Sequence, residues 1–128
     1  MTRLLIVEDE ATMAMLTSLM LEDEGYEVVI ASNGKKGLEM VRELTPDAIV
    51  SDYMMPTMDG LEMVRQLRAE DFEIPVLLLS AIPERRLPVS GEKAYQAYLA
   101  KPFLEKDLVD LVAALVRKIG HDAPLQAS

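Results

Sequence analysis

Five short apolar runs punctuate the chain: Leu4–Val7, Val28–Ala31, Ala48–Val50, Val76–Leu79 and Tyr98–Ala100. Four of them are continuous, or nearly so, rather than alternating. Such runs suit strands buried on both faces of a parallel sheet. Between them lie segments with helical spacing. Met13, Leu16 and Met20 mark the first, Leu38 and Val41 the second, and Leu61, Val64 and Leu67 the third. The turn Ser32-Asn33-Gly34 opens the second and Asp59-Gly60 the third. Leu108, Leu111, Val112, Leu115 and Ile119 form the clearest stripe, with Gly120 as its expected stop.

The stretch between the fourth and fifth runs breaks this rhythm, because "IPERRLPVSGEKAYQ" carries Pro83, Pro88 and Gly91. A proline inside a helix costs about 3 kcal/mol and a glycine about 1 kcal/mol. At most a short helix, roughly Glu92 to Gln96, is expected there after an irregular and mobile Pro83–Gly91 loop. Strands alternating with helices predict an α/β, doubly wound, five-stranded parallel sheet with helices on both faces. The helix before the fifth strand is expected to be short or irregular.

A chain of 128 residues suits one domain, with residues 1–120 as its body and 121–128 as a polar tail or the start of a linker. The formal net charge is −9, which disfavours direct contact with nucleic acid or an anionic membrane surface. There is no cysteine, which excludes disulfides and thiolate chemistry, and the single histidine, His121, lies in the tail. No run approaches the roughly 20 apolar residues of a membrane span. The first apolar run has only four residues, too few for a secretory signal, so a cytoplasmic location is expected.

The chemistry gathers at the carboxyl ends of the runs. The first ends in Glu8-Asp9, the third in Asp52, the fourth in Ser80 and the fifth in Lys101. In open α/β sheets ligands sit outside the carboxyl ends of the strands, where the strand order reverses. Three acids, a hydroxyl and an ammonium should therefore share one rim. Taken singly, each has a plain explanation: an acid after a strand is usually a turn residue, and acids before a helix favour its dipole. Their joint placement points elsewhere. Crowded carboxylates raise one another's pKa and call for positive charge among them. Oxygen ligands suit a hard divalent ion, Mg²⁺, which completes its shell with phosphate and water. A carboxylate beside Mg²⁺ and a lysine is a candidate nucleophile toward phosphorus.

These residues lie in four blocks, "LLIVEDE", "PDAIVSDYMMPTMDG", "PVLLLSA" and "YLAKPF", and with them the chain resembles the receiver domain of bacterial two-component response regulators over about residues 3 to 119. The resemblance implies a flavodoxin-like sheet of order 2-1-3-4-5, as in chemotaxis receivers. It implies that Asp52 is the phosphoacceptor, and that Asp9, Glu8, Asp52 and the backbone carbonyl of Met54 surround Mg²⁺, Glu8 through water. Ser80 is similar to the switch hydroxyl, Lys101 to the phosphoryl-contacting lysine and Tyr98 to the switch aromatic. The Lys101–Pro102 bond is implied to be cis. Tyr98 is expected to face partners on the side opposite Lys101. Met54 and Ile82 occupy the positions that flank hydrolytic water. Both are apolar, so slow autodephosphorylation is expected. The implied partners are a sensor histidine kinase or histidine phosphotransfer protein and a downstream protein effector. The implied state is a monomer or a phosphorylation-dependent dimer. By this resemblance the chain is a signalling phosphoacceptor rather than an enzyme, catalysing only its own phosphorylation and slow dephosphorylation.

Three other chemistries fit less well. A haloacid-type phosphatase needs an acid where Met54 stands. A flavodoxin-like carrier needs a hydroxyl- and glycine-rich phosphate loop where "VEDEAT" stands. A P-loop enzyme needs a G-x-x-x-x-G-K-[ST] run that the chain lacks. The closest alternative is a receiver used only for protein contacts, without phosphorylation.

Overall fold

A computed structural model describes residues 1–88 and 93–120. The element order is β1 (Arg3–Val7), α1 (Ala11–Glu22), β2 (Glu27–Ala31), α2 (Gly34–Leu44), β3 (Ala48–Asp52), α3 (Gly60–Ala69), β4 (Val76–Ser80), a 3₁₀ turn (Glu84–Arg86), β5 (Ala97–Ala100) and α4 (Glu105–Gly120). The strands form one parallel sheet in the order β2-β1-β3-β4-β5. All five predicted runs are strands, with ends within two residues of those expected.

β3 and β4 are buried along their whole length, which is why they are apolar from Ala48 to Val50 and from Val76 to Leu79; polar residues enter only at their carboxyl ends, as Ser51, Asp52 and Ser80. Each face of the sheet carries its own core. On one face Leu5, Val7, Ile49, Val76 and Leu78 meet Leu38 and Val41 of α2 and Leu61, Val64 and Leu67 of α3. On the other, Leu4, Ile6, Val50, Leu77 and Leu79 meet Leu21 of α1 and Leu108, Val112 and Leu115 of α4. Each such large side chain contributes about 1.5–3 kcal/mol of burial.

The helix starts follow local chemistry. The Asn33 side chain accepts from Lys36 N–H at 2.8 Å and caps α2. Asp59 and Glu62 form a reciprocal capping box on α3. In α1 the cap is Glu10, whose carboxylate accepts from Thr12 and Met13 N–H.

The buried residues of α1 are Ala14, Thr17, Ser18 and Leu21; of the residues whose spacing marked the helix, Met20 packs partly against the core and Leu16 is exposed. Its large apolar residues are spread round the helix, so their spacing has no preferred direction. One expectation is corrected: in the β4–β5 connection, residues 94–96 form bends instead of the end of a short helix. Glu92, where that helix was to start, lies outside the described residues, as do residues 89–91 of the expected mobile loop. The place of a helix is taken by side chains. Leu87 and Tyr95 are buried in the α2/α3 core. The Glu84 carboxylate accepts from both Lys93 Nζ and Tyr95 Oη at 2.8 Å. Burial, and then the bond to Glu84, push the Tyr95 hydroxyl up to about 12. From α3, Arg65 donates to Pro88 O at 3.0 Å, and Arg68 donates to Ala94 O. Proline and glycine forbade the helix, and these polar ties hold its substitute. Residues 121–128, the expected tail, lie outside the described residues.

Candidate functional site

The order β2-β1-β3 reverses the direction of winding between β1 and β3, so α1 and α2 leave to opposite faces. The crevice at that reversal holds the acids. β1 ends at Val7 and delivers Glu8 and Asp9; β3 ends at Asp52. One carboxylate oxygen from each of Glu8, Asp9 and Asp52 lies within 4.8 Å of the others. Glu8 and Asp52 are buried and Asp9 is exposed. Lys101 Nζ stands 2.5 Å from Asp52 Oδ1 and 3.6 Å from Glu8 Oε1. The Lys101–Pro102 bond is cis, as expected. Four of the residues singled out from the sequence are thus neighbours.

The charges respond to this crowding. Burial raises the Asp52 carboxyl above its ordinary value, the Lys101 hydrogen bond and charge oppose it, and the Asp9 charge adds to it. Burial likewise raises Glu8; the Glu10 N–H lowers it and the Asp52 charge raises it. Burial alone would lower Lys101, but its bond to Asp52 and the charges of Asp52 and Glu8 outweigh that and raise it. Two acids reluctant to ionise, with one exposed acid and an ammonium, make a pocket short of positive charge. That donor set fits a hard divalent cation.

Ser80 is buried at the end of β4, and its Oγ accepts from Ile82 N–H at 3.0 Å. Met54 is exposed, and with Ile82, Tyr53, Pro56 and Asp59 it lines an open cleft of about 480 Å³. Tyr98 is half-buried. It packs against the α2/α3 core, and its hydroxyl is buried with no hydrogen-bond partner among the described residues. It lies on the α2/α3 face of the sheet, in the same core as Leu87 and Tyr95 of the β4–β5 connection.

Three features escaped the sequence reading. Ser51, wholly buried, donates its hydroxyl to the Asp52 peptide oxygen at 2.9 Å. Met15, Leu16 and Leu19 project from α1 into solvent, and Leu104 does so after β5. Large apolar residues spread round α1 were the available signal for the second. Nothing in the sequence marks the Ser51 bond.

The family model for the response regulator receiver domain matches residues 4–113. The DNA-binding response regulator MtrA of Mycobacterium tuberculosis (strain H37Rv) is 37% identical over 97% of this chain and 54% of its own length. The alkaline phosphatase synthesis transcriptional regulatory protein PhoP of Bacillus subtilis is 36% identical over 95% of this chain and 51% of its own. The chain therefore spans about half the length of the curated relatives it matches. Among solved structures, the receiver domain of the Francisella response regulator 1452 superposes with a TM-score of 0.85 at 29% identity, covering 92% of this chain and 98% of that one. The response regulator TrrA of Thermotoga maritima, in complex with Mg²⁺-BeF, gives 0.82 at 31% identity over 90% and 99%. No helix among the described residues is long and apolar enough to cross a membrane.

Proposed function

Because this chain belongs to the response regulator receiver domain family and is a signalling domain rather than a classical enzyme, we propose that Asp52 accepts a phosphoryl group from a phosphohistidine. The observation that carries this is the convergence of Glu8, Asp9 and Asp52 with the Lys101 ammonium. Glu8, Asp9, Asp52 and the Met54 carbonyl would hold Mg²⁺, which supplies charge neutralisation for the incoming phosphoryl oxygens. An Asp52 carboxylate oxygen forms the new P–O bond as the donor's P–N bond breaks. Lys101, already paired with Asp52, neutralises charge on the phosphoryl group. The Ser80 hydroxyl, held by Ile82 N–H, is free to donate its own proton to a phosphoryl oxygen. Drawing Ser80 inward pulls on the backbone at Ile82, and so on the β4–β5 connection, which shares a core with Tyr98. That is a path from the added charge to a changed surface.

The donor is a protein, a sensor kinase or histidine phosphotransfer protein. What supports this is a belt of exposed apolar side chains around the rim. Met15 (62% exposed), Leu19 (56%) and Leu16 (46%) lie on α1, Met54 (60%) follows Asp52, and Leu104 (69%) follows Lys101. A groove of about 320 Å³ runs from Glu8 and Asp9 past Met15 and Leu19 to Ile30 and Glu22. Exposed apolar patches of this kind mark protein partners. Acetyl phosphate with Mg²⁺ should label the protein once, and Asp52→Ala should abolish the label in intact-mass measurement. Unchanged labelling of Asp52→Ala would refute the assignment and favour a receiver that works by contact alone. Met54 and Ile82 offer hydrolytic water no hydrogen bond, so the acyl phosphate decays slowly. Met54→Asn should speed decay by about tenfold in a phosphate-release assay.

A further inference from the structure

The peptide oxygen of Asp52 is approached from two sides. The Ser51 hydroxyl donates to it at 2.9 Å from a fully buried position. Gly60, the first residue of α3, presses on it from the other side. A Cβ at Gly60 would stand 2.5 Å from that oxygen, 3.0 Å from Leu78 Cδ2 and 3.1 Å from Tyr53 Cα. Gly34 and Gly37 are tight as well, but their nearest contacts, at 3.0 Å, are methionine sulfurs that can swing aside. A strand-end carbonyl cannot. Gly60 N–H also donates to Tyr53 O at 2.7 Å, so the start of α3 is tied to the peptide just after Asp52.

This peptide joins Asp52 to the connection that carries Met54. Its plane, with the β3 ladder behind it, fixes where the Asp52 side chain leaves the strand and where the Met54 carbonyl comes to lie. We propose that Ser51 and Gly60 form a positioning pair for the Asp52 site. The hydroxyl is the tether, and the bare Cα is the seat that lets α3 close onto the strand end. Neither group touches the phosphoryl group. Both act through the Asp52 backbone, and the proposal rests on Asp52 being the phosphoacceptor.

Two readouts separate positioning from simple stability. Mg²⁺ alone, titrated by amide NMR shifts, reports the acid cluster without any phosphoryl chemistry. Labelling by acetyl phosphate at saturating Mg²⁺ reports the nucleophile. Ser51→Ala should weaken Mg²⁺ binding about threefold and slow labelling about tenfold. Gly60→Ala should slow labelling by up to about a hundredfold, the scale of a 1 Å misplacement. Leu67→Ala is the control. It opens a cavity in α3 remote from Asp52 and, while folded, should keep the wild-type Mg²⁺ affinity and labelling rate. Wild-type values in Ser51→Ala would overturn the proposal whether or not Gly60→Ala folds, and so would equal losses in folded Leu67→Ala. Failure of the wild type to label would instead defeat the phosphoacceptor assignment, while the Mg²⁺ titration would still test the pair.

Discussion

α1 and α4 cover the same face of the sheet and are built in opposite ways. α4 turns Leu108, Val112 and Leu115 inward, while Glu105, Lys106, Asp107 and Asp110 stay in water. α1 turns mainly small residues inward, Ala14, Thr17 and Ser18, with Leu21 as its one large buried contact. Of its other large apolar residues, Met13 and Met20 are half-buried, Met20 against the same core, while Met15, Leu16 and Leu19 lie in solvent. Small inward residues let α1 lie close to the strands, but they contribute little burial. One helix of the layer anchors the fold, and the other presents a surface beside the acids. Sharing a layer does not mean sharing a task.

The contrast can be broken at its anchoring end first. Leu108→Ala should cost about 2–5 kcal/mol in urea unfolding and leave labelling of the folded protein by acetyl phosphate intact. Loss of labelling with little loss of stability would reverse the roles of the two helices. At the presenting end, Met15→Glu with Leu19→Glu should slow transfer from a cognate phosphohistidine donor at least about tenfold, equivalent to about 1.4 kcal/mol. Acetyl phosphate labelling should not change, and stability should stay within about 0.5 kcal/mol per substitution. Equal slowing with both donors would show that α1 serves the pocket and not the partner. Glu10→Ala removes the α1 cap and should cost about 0.5–1 kcal/mol by thermal melting.

The smallest effect concerns pH. Burial raises Glu8 and Asp52, so the folded chain holds their protons more tightly than the unfolded chain does. That stabilisation is complete below the ordinary carboxylate values of 4.5 and 3.8 and is lost as pH rises through the higher folded values. In metal-free buffer Asp52→Asn should therefore melt above the wild type at neutral pH, and the gap should close near pH 4. A gap that widens on acidification would mean that Lys101 pairing outweighs burial.

The sheet was legible because double-sided burial keeps β3 and β4 apolar up to their carboxyl ends, where Ser51, Asp52 and Ser80 stand. The site was legible because the fold gives strand ends a common address, which Glu8, Asp9, Asp52, Ser80 and Lys101 could share without being close in sequence. The face of α1 was not legible, since its large apolar residues are spread round the helix while its inward face carries Thr17 and Ser18. Pro88 and Gly91 told correctly against a full helix before β5. They could not show that Leu87 and Tyr95 would fill the gap, because that depends on Glu84, Arg65 and Arg68 from separate elements.

Every strand pairing in this sheet is parallel, so no two neighbouring strands are joined by a hairpin. Arg3 N–H bonds to Asp47 across 44 residues, and β1 meets β3 only after β2 and two helices have been made. Such contacts close late and slowly. Lys101 reaches Asp52 only once β5 has docked on β4, at the far edge of the sheet. The pocket therefore exists only in the finished molecule. A nascent or partly unfolded chain displays Asp52 without Lys101, and without Glu8 and Asp9 gathered around it. Under the proposed phosphoacceptor role, modification of Asp52 then doubles as an inspection of folding, because the group it needs is assembled only when β1, β3 and β5 are in place.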